Sequence, residues 1–154
     1  MRGTPMENFK DIAAGVVTDH EAKRYSSGQA AGHVVEAIQR YGKWVVLAAA
    51  TLIESKPDEF EDIPADQIMD FLEEGYLGSG ATVGEALKEY AEDDLKSGRN
   101  GELGRLYDAL DRAGGVERFD WGSYADDDMT PTTGLHFVVM PVPAGKSGTF
   151  IFGS

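Results

Sequence analysis

Apolar residues first fall into a regular rhythm at Gln29. Ala30, Val34, Ile38 and Tyr41 recur at steps of three and four, which predicts a helix that breaks at Gly42. Lys43 to Ser55 follows as a second helix, apolar on most sides through Trp44, Val45, Leu47, Ala48, Leu52 and Ile53. Such a helix belongs in a core. Pro57 stands just past its end. Two amphipathic helices are then expected around a glycine-rich turn. The first starts near Pro64, points Ile68, Phe71 and Leu72 inward, and ends at Gly75. The second is capped by Thr82, with Glu85 completing a capping box, and offers Leu87, Tyr90, Ala91 and Leu95 as its apolar face. After the turn "GRNGELG", the stretch "LGRLYDALDRAGG" reads as a short helix closed by Gly114 and Gly115. Residues 1 to 27 show weak periodicity, with a loop at "YSSGQ".

The C-terminal part is patterned differently. "GLHFVVMPVP" and "GTFIF" are strand-like runs joined by "AGKSG", which predicts a β-hairpin whose proline-bearing strand lies at an edge (Pro141, Pro143). The fold class expected is α+β, a mainly helical acidic domain with a C-terminal β-hairpin. Residues 1–154 are read as a single compact unit, with a helical N-terminal part over 1–60 and an acidic part over 61–154.

Composition adds limits. The absence of cysteine removes disulfides, thiolate metal sites and thiol nucleophiles, and agrees with a reducing compartment. The N-terminal residues have no apolar signal core, and the run from Trp44 to Ile53 is too short to span a bilayer. A cytoplasmic protein is expected. The net charge of −13 repels nucleic acid and anionic membranes and favours a basic partner, so no direct nucleic-acid or membrane binding is expected. Its placement is uneven. Residues 54 to 94 hold 14 acids and 2 bases, whereas residues 1 to 53 hold 5 acids and 6 bases. Generic solubility would scatter the excess.

Most candidate chemistry fails on spacing. "AGKSGT" resembles the end of a phosphate loop, but Met140 stands where the first glycine is needed, and "TFIF" stands where a helix must follow. His20, His33 and His136 fit no metal-ligand spacing. Asp126, Asp127 and Asp128 do not match a calcium loop, whose glycine and glutamate positions are Pro131 and Phe137 here. No GxSxG elbow supports a serine nucleophile. No catalytic residue, metal or cofactor is therefore assigned, and the protein is not expected to be an enzyme. In "RFDWGSYADDD", Phe119, Trp121 and Tyr124 read as an apolar clasp that holds aspartates at the surface.

The remaining pattern is two columns of carboxylates. Asp66, Asp70, Glu73 and Glu74 share one helical face, and Glu85, Glu89, Glu92 and Asp93 repeat the spacing. Both lie opposite the apolar stripes. Like charges four apart destabilise a helix by about 0.2–0.5 kcal/mol per pair. A sequence chosen for helix stability alone would interleave bases. Carboxylates four residues apart repeat about every 6 Å along the axis. DNA presents a phosphate about every 3.4 Å on each strand. One column is about half as dense as one strand, and two adjacent columns, or a dimer, would approach the field of a duplex, so these eight residues, extended by Asp126, Asp127 and Asp128, are the candidate partner-binding surface.

Two of these stretches resemble the ArdA antirestriction family of acidic DNA mimics, carried by plasmids, transposons and phages. In "EEGYLGSGATVGEALKEYAEDDL", Tyr76, Gly78, Thr82 and Tyr90-Ala91-Glu92 match the family's Tyr-x-Gly turn, small cap and helix end. In "RFDWGSYADDDM", Asp120, Trp121, Tyr124, Ala125 and Asp127 are similar to its aspartate–aromatic segment. The likeness covers residues 70 to 130; residues 1 to 60 do not resemble the family's β-rich N-terminal region. It implies inhibition without catalysis of a basic DNA-binding partner, such as a type I restriction–modification enzyme, and leaves a homodimer open. Two rivals stand beside it. One is a protein-binding adaptor or inhibitor using the apolar stretch "GKWVVLAAATLI" (Gly42 to Ile53) or the hairpin edge. The other is a small metal-dependent enzyme using Asp126 to Asp128 with His136.

Overall fold

The computed structural model describes residues 7–24, 28–56, 60–98, 101–126, 135–143 and 148–153, with only the backbone of residues 125 and 126. The fold is α+β and mainly helical, and the chain divides into two compact units, Met1–Gly75 and Tyr76–Ser154.

The first unit is built on helices. α1 spans Phe9–Glu21 and buries Phe9, Ala13, Val16 and Val17. These stand at i, i+4, i+7 and i+8, one complete apolar stripe in a stretch expected to be weakly periodic. Interrupting small residues (Ala14, Gly15) mask the pattern when it is read by hydrophobicity alone. α2 (Gln29–Tyr41) and α3 (Lys43–Ser55) occupy the expected spans. The one residue between them, Gly42, has φ 96°, a backbone state that strains any residue with a Cβ. α3 buries Val45, Val46, Ala48, Ala49, Leu52 and Ile53, so its all-round apolarity reflects a core position against α1 and α2.

A 3-10 turn (Ala65–Gln67) leads into α4 (Ile68–Gly75), which buries Ile68 and Leu72 and packs on α2. Backbone bonds hold this entry to the start of α1. Phe9 N–H donates to Ile63 C=O at 2.7 Å, and Ala65 N–H donates to Glu7 C=O at 2.8 Å. α4 therefore belongs with the N-terminal helices. The division of the chain falls at Gly75/Tyr76, which keeps α4 with α2, on which it packs.

The second unit combines a three-stranded antiparallel sheet with helices. β1 (Tyr76–Gly80), β2 (Leu135–Val139) and β3 (Thr149–Gly153) are ordered β1-β3-β2. The expected hairpin is present, with His136 opposite Phe152 and Val138 opposite Phe150. "YLGSG", expected as a glycine-rich turn, is a third strand. It pairs Gly78 with Ile151 and Gly80 with Thr149, with a register shift between Tyr76 and Gly78. Glycines hide a strand from a propensity reading, but at a bulged edge they are tolerated.

α5 (Val83–Ser97), α6 (Glu102–Arg112) and α7 (Trp121–Asp126) complete this unit. Ala86, Leu87, Ala91, Leu103, Val116 and Trp121 pack with Leu135 and Ile151 in its core. Thr82 caps α5 as expected, accepting the Glu85 N–H at 3.1 Å, and Gly98 ends the helix in the left-handed region. Leu95, assigned to the apolar face, is 37% exposed, and its neighbour Asp94 is buried instead. The expected connections at residues 25–27, 99–100 and 144–147, and Pro57, lie outside the described residues.

Candidate functional site

The first carboxylate column is raised by a helix of only eight residues and the 3-10 turn before it. Asp66, Asp70, Glu73 and Glu74 are all exposed, while Ile68 and Leu72 face inward. Glu73 is not bare: Arg40 of α2 donates to its Oε1 at 2.8 Å. Asp66, Asp70 and Glu74 make no ion pair among the described residues.

The second column stands on α5, a helix of 15 residues. Glu85, Glu89 and Asp93 are exposed and Glu92 is half-buried. Lys96 pairs with Glu92 at 2.6 Å. The hydrogen bond from Lys96 holds the Glu92 carboxyl below its ordinary range, helped by Lys96's charge and by the Tyr107 hydroxyl. Burial, with Glu92 beside it, raises Tyr107 above the usual phenol value. The first column receives more relief than its sequence suggests. Arg40 is 33 residues from Glu73, so no local spacing could reveal it.

Each column belongs to a different unit. The acidic window of residues 54 to 94 straddles the boundary at Gly75/Tyr76. The first unit holds 14 acids and 7 bases, the second 13 acids and 7 bases. A charge concentrated in the sequence is thus shared almost equally between two folded bodies. Asp127 and Asp128, the proposed extension of the surface, lie outside the described residues, as does the side chain of Asp126.

The aromatic clasp forms as expected. Phe119 stacks on Trp121 with ring centroids 4.8 Å apart, and Tyr124 meets Phe119 edge-on at 5.5 Å. The Trp121 indole N–H donates to Val116 C=O at 3.0 Å. Asp120 has a defined local task. Its carboxylate accepts the Ser123 N–H at 3.0 Å and the Ser123 hydroxyl at 2.7 Å, which caps α7. The backbone bond from Ser123 is the leading reason its carboxyl sits below its ordinary value.

Asp94 is the acid that sequence reasoning missed. It is 4% exposed, and its Oδ2 accepts the Gly104 N–H of α6 at 3.0 Å. The N-cap of α6 is Gly101, which has no side chain to offer. A carboxylate from α5 therefore satisfies an amide in the first turn of α6. A Cβ on Gly104 would lie 2.6 Å from that oxygen, so the glycine is what allows the approach. "GRNGELG" contains the signal, but only the fold brings Asp94 to it.

Two shallow grooves lie in the second unit. One, of about 220 Å³, runs between β1 and α5; Ala86 and Tyr90 line its base, with Glu89 and Asp93 beside them. The other, of about 270 Å³, lies where the first turns of α5 and α7 meet, with Lys88 beside Glu85, Glu117 and Asp120. Lys88 is tied to Glu117 at 2.7 Å, and this hydrogen bond raises its amine above the ordinary lysine value.

The rival sites are placed as follows. The six buried residues of α3 leave little of the Trp44 to Ile53 stretch for a partner, and Val139 and Leu95 are the exposed large hydrophobics among the described residues. His136 is 1% exposed on β2. No group of three or more metal-ligating side chains occurs among the described residues, nor does a helix long and apolar enough to cross a membrane. No protein-family model, curated protein or solved structure matches the chain. The ArdA resemblance rests on the quoted residues, of which Thr82 is a helix cap, Asp120 a second cap, and Tyr76 and Gly78 parts of β1.

Proposed function

We propose that this protein is a non-enzymatic inhibitor that sets carboxylates where a DNA-binding enzyme expects phosphates. The target class implied by the ArdA resemblance is a host-defence enzyme of the type I restriction–modification kind. The observation that carries the reading is the pair of exposed carboxylate columns on α4 and α5, each backed by a buried apolar stripe. Glu73 and Glu92 are drawn into ion pairs, with Arg40 and Lys96. An acidic surface of this kind attracts a lysine- and arginine-lined DNA channel and loses that attraction as salt rises.

The test is displacement of a labelled duplex from a type I restriction–modification enzyme. The chain is expected to displace it, and displacement is expected to weaken strongly between about 50 and 200 mM salt, as phosphate contacts do. Neutralising Asp66, Asp70, Glu74, Glu85 and Glu89 to their amides should abolish it. Displacement that ignores both salt and these substitutions, or no displacement at all, would remove the proposal.

A further inference from the structure

α5 carries a lysine among its acids whose ion pair lies on another element. Lys88 stands three residues after Glu85 and four before Glu92, the spacings at which side chains of one helix meet. Glu89, next to it in sequence, points away. The Lys88 amine instead donates to Glu117 Oε1 at 2.7 Å, on the 3-10 turn Val116–Arg118. That turn is held in place. Val116 is buried, its C=O accepts the Trp121 indole N–H, and the Arg118 and Phe119 N–H groups both donate to Gly115 C=O. Lys88 and Glu85 line the same groove of about 270 Å³, together with Glu117 and Asp120. Other carboxylates near Lys88 are already engaged. Asp120 accepts the Ser123 N–H and hydroxyl, and Glu92 holds Lys96 at 2.6 Å. Glu85 makes no ion pair among the described residues.

We infer that Glu117 is a positioning residue that draws Lys88 off α5 and so keeps Glu85, the first carboxylate of the second column, unneutralised. Two acceptors compete for one ammonium. Without Glu117, the carboxylate left within helical reach and without a base of its own is Glu85. Exposed ion pairs of this kind are favoured by about fivefold or less, so the column is held open by a small margin. Removing one acceptor reverses the balance. The choice matters at the start of α5, where Glu85 stands in the first turn. A basic partner arriving there meets either a bare carboxylate or a carboxylate already matched by lysine, and the matched one attracts it less. The inference rests on the reading of the α5 column as a binding surface. It goes beyond that reading by naming a residue outside the column that sets the column's charge.

Three variants of the full chain make a double-mutant cycle: Glu117→Gln, Lys88→Gln and the two together. Displacement of a labelled duplex from a type I restriction–modification enzyme is read at about 50 mM salt, where exposed charges are least screened. Glu117→Gln should weaken displacement about two- to fivefold. Lys88→Gln should displace at least as well as the unsubstituted chain, and the double variant should match Lys88→Gln. No weakening in Glu117→Gln overturns the inference. So does a weakening that persists in the double variant, because Glu117 then acts through its own charge. The second readout needs no partner. In carbon NMR spectra at neutral pH, the Glu85 carboxyl resonance should move in Glu117→Gln and return in the double variant to its position in the unsubstituted chain. A merely structural role for Glu117 would disturb the amides of its own turn and leave the Glu85 carboxyl in place, which also overturns the inference. If the unsubstituted chain displaces no duplex, the DNA-mimic reading falls, and the Glu85 resonance still decides where Lys88 goes.

Discussion

The two carboxylate columns have the same spacing and are held up in different ways. α4 has eight residues, too few for a helix that stands alone in water. It persists because Ile68 and Leu72 are buried, because the turn before it is tied to α1, and because Arg40 reaches Glu73 from α2. α5 has 15 residues and a complete set of local devices: the Thr82 cap, Glu85 after it, an i,i+4 pair from Glu92 to Lys96, and Gly98 at its end. Like-charge repulsion costs both helices similar amounts. The first offsets it by tertiary contacts and the second largely by local ones. One charge pattern can therefore be displayed by two unlike supports, and substitutions should tell them apart.

The largest effect is expected in the core. Leu72→Ala and Leu87→Ala each remove a side chain that is at most 1% exposed, and each should cost about 2–5 kcal/mol in urea unfolding. In Leu72→Ala the amides of α4 should lose hydrogen-exchange protection together, since that short helix has little else to hold it. In Leu87→Ala the first turn of α5 should retain partial protection from its cap. Equal loss in both helices would erase the distinction.

Asp94→Ala comes next. It leaves the Gly104 N–H without its acceptor and should cost about 1–3 kcal/mol, with α6 fraying from its first turn. Asp94→Asn keeps a carbonyl oxygen and should lose less. If the two variants unfold alike, the contact with Gly104 is not what matters at this position.

Thr82→Ala should lower stability by about 0.5–2 kcal/mol, and Thr82→Ser should restore it. α4 has no comparable cap; the residue before its 3-10 turn is Pro64, which makes no side-chain capping bond. The column on α5 should thus respond to a single hydroxyl, and the column on α4 to no equivalent change.

The smallest effect is a pH dependence at the α7 cap. The folded Asp120 carboxyl lies below its ordinary value of 3.8, so the cap's contribution is fully present above that value. It is lost as pH falls through the lowered folded value. The indole N–H resonance of Trp121 should shift on that acid limb, and Asp120→Asn should remove the shift. An unchanged acid limb in Asp120→Asn would show that the cap is not its source.

Much of this was legible along the chain. The spans of α2, α3 and α5, the hairpin, the clasp of Phe119 and Trp121, and the Thr82 cap all follow from period, punctuation and local hydrogen bonding. α1 was legible too, since Phe9, Ala13, Val16 and Val17 form a stripe, but alanine and glycine between them dilute it. Three features were not. β1 is a strand because β3 supplies its hydrogen bonds, whereas "YLGSG" by itself favours a turn. Asp94 is buried while Leu95 is exposed because α6 has Gly101 as its N-cap and takes an acceptor from α5. Arg40 relieves Glu73 because α4 packs on α2.

The sequence by itself determined the charge, the faces of the helices and the positions of their ends, since these depend on residues within a few steps of one another. Only the tertiary structure decided which elements share a core. That placed the unit boundary at Gly75/Tyr76, inside the acidic stretch, and divided one run of charge between two bodies. The physical reason is that a helical or strand period states which face must be buried but not against what. The partner is chosen by long-range packing and by backbone hydrogen bonds between distant segments, and neither is written in local spacing.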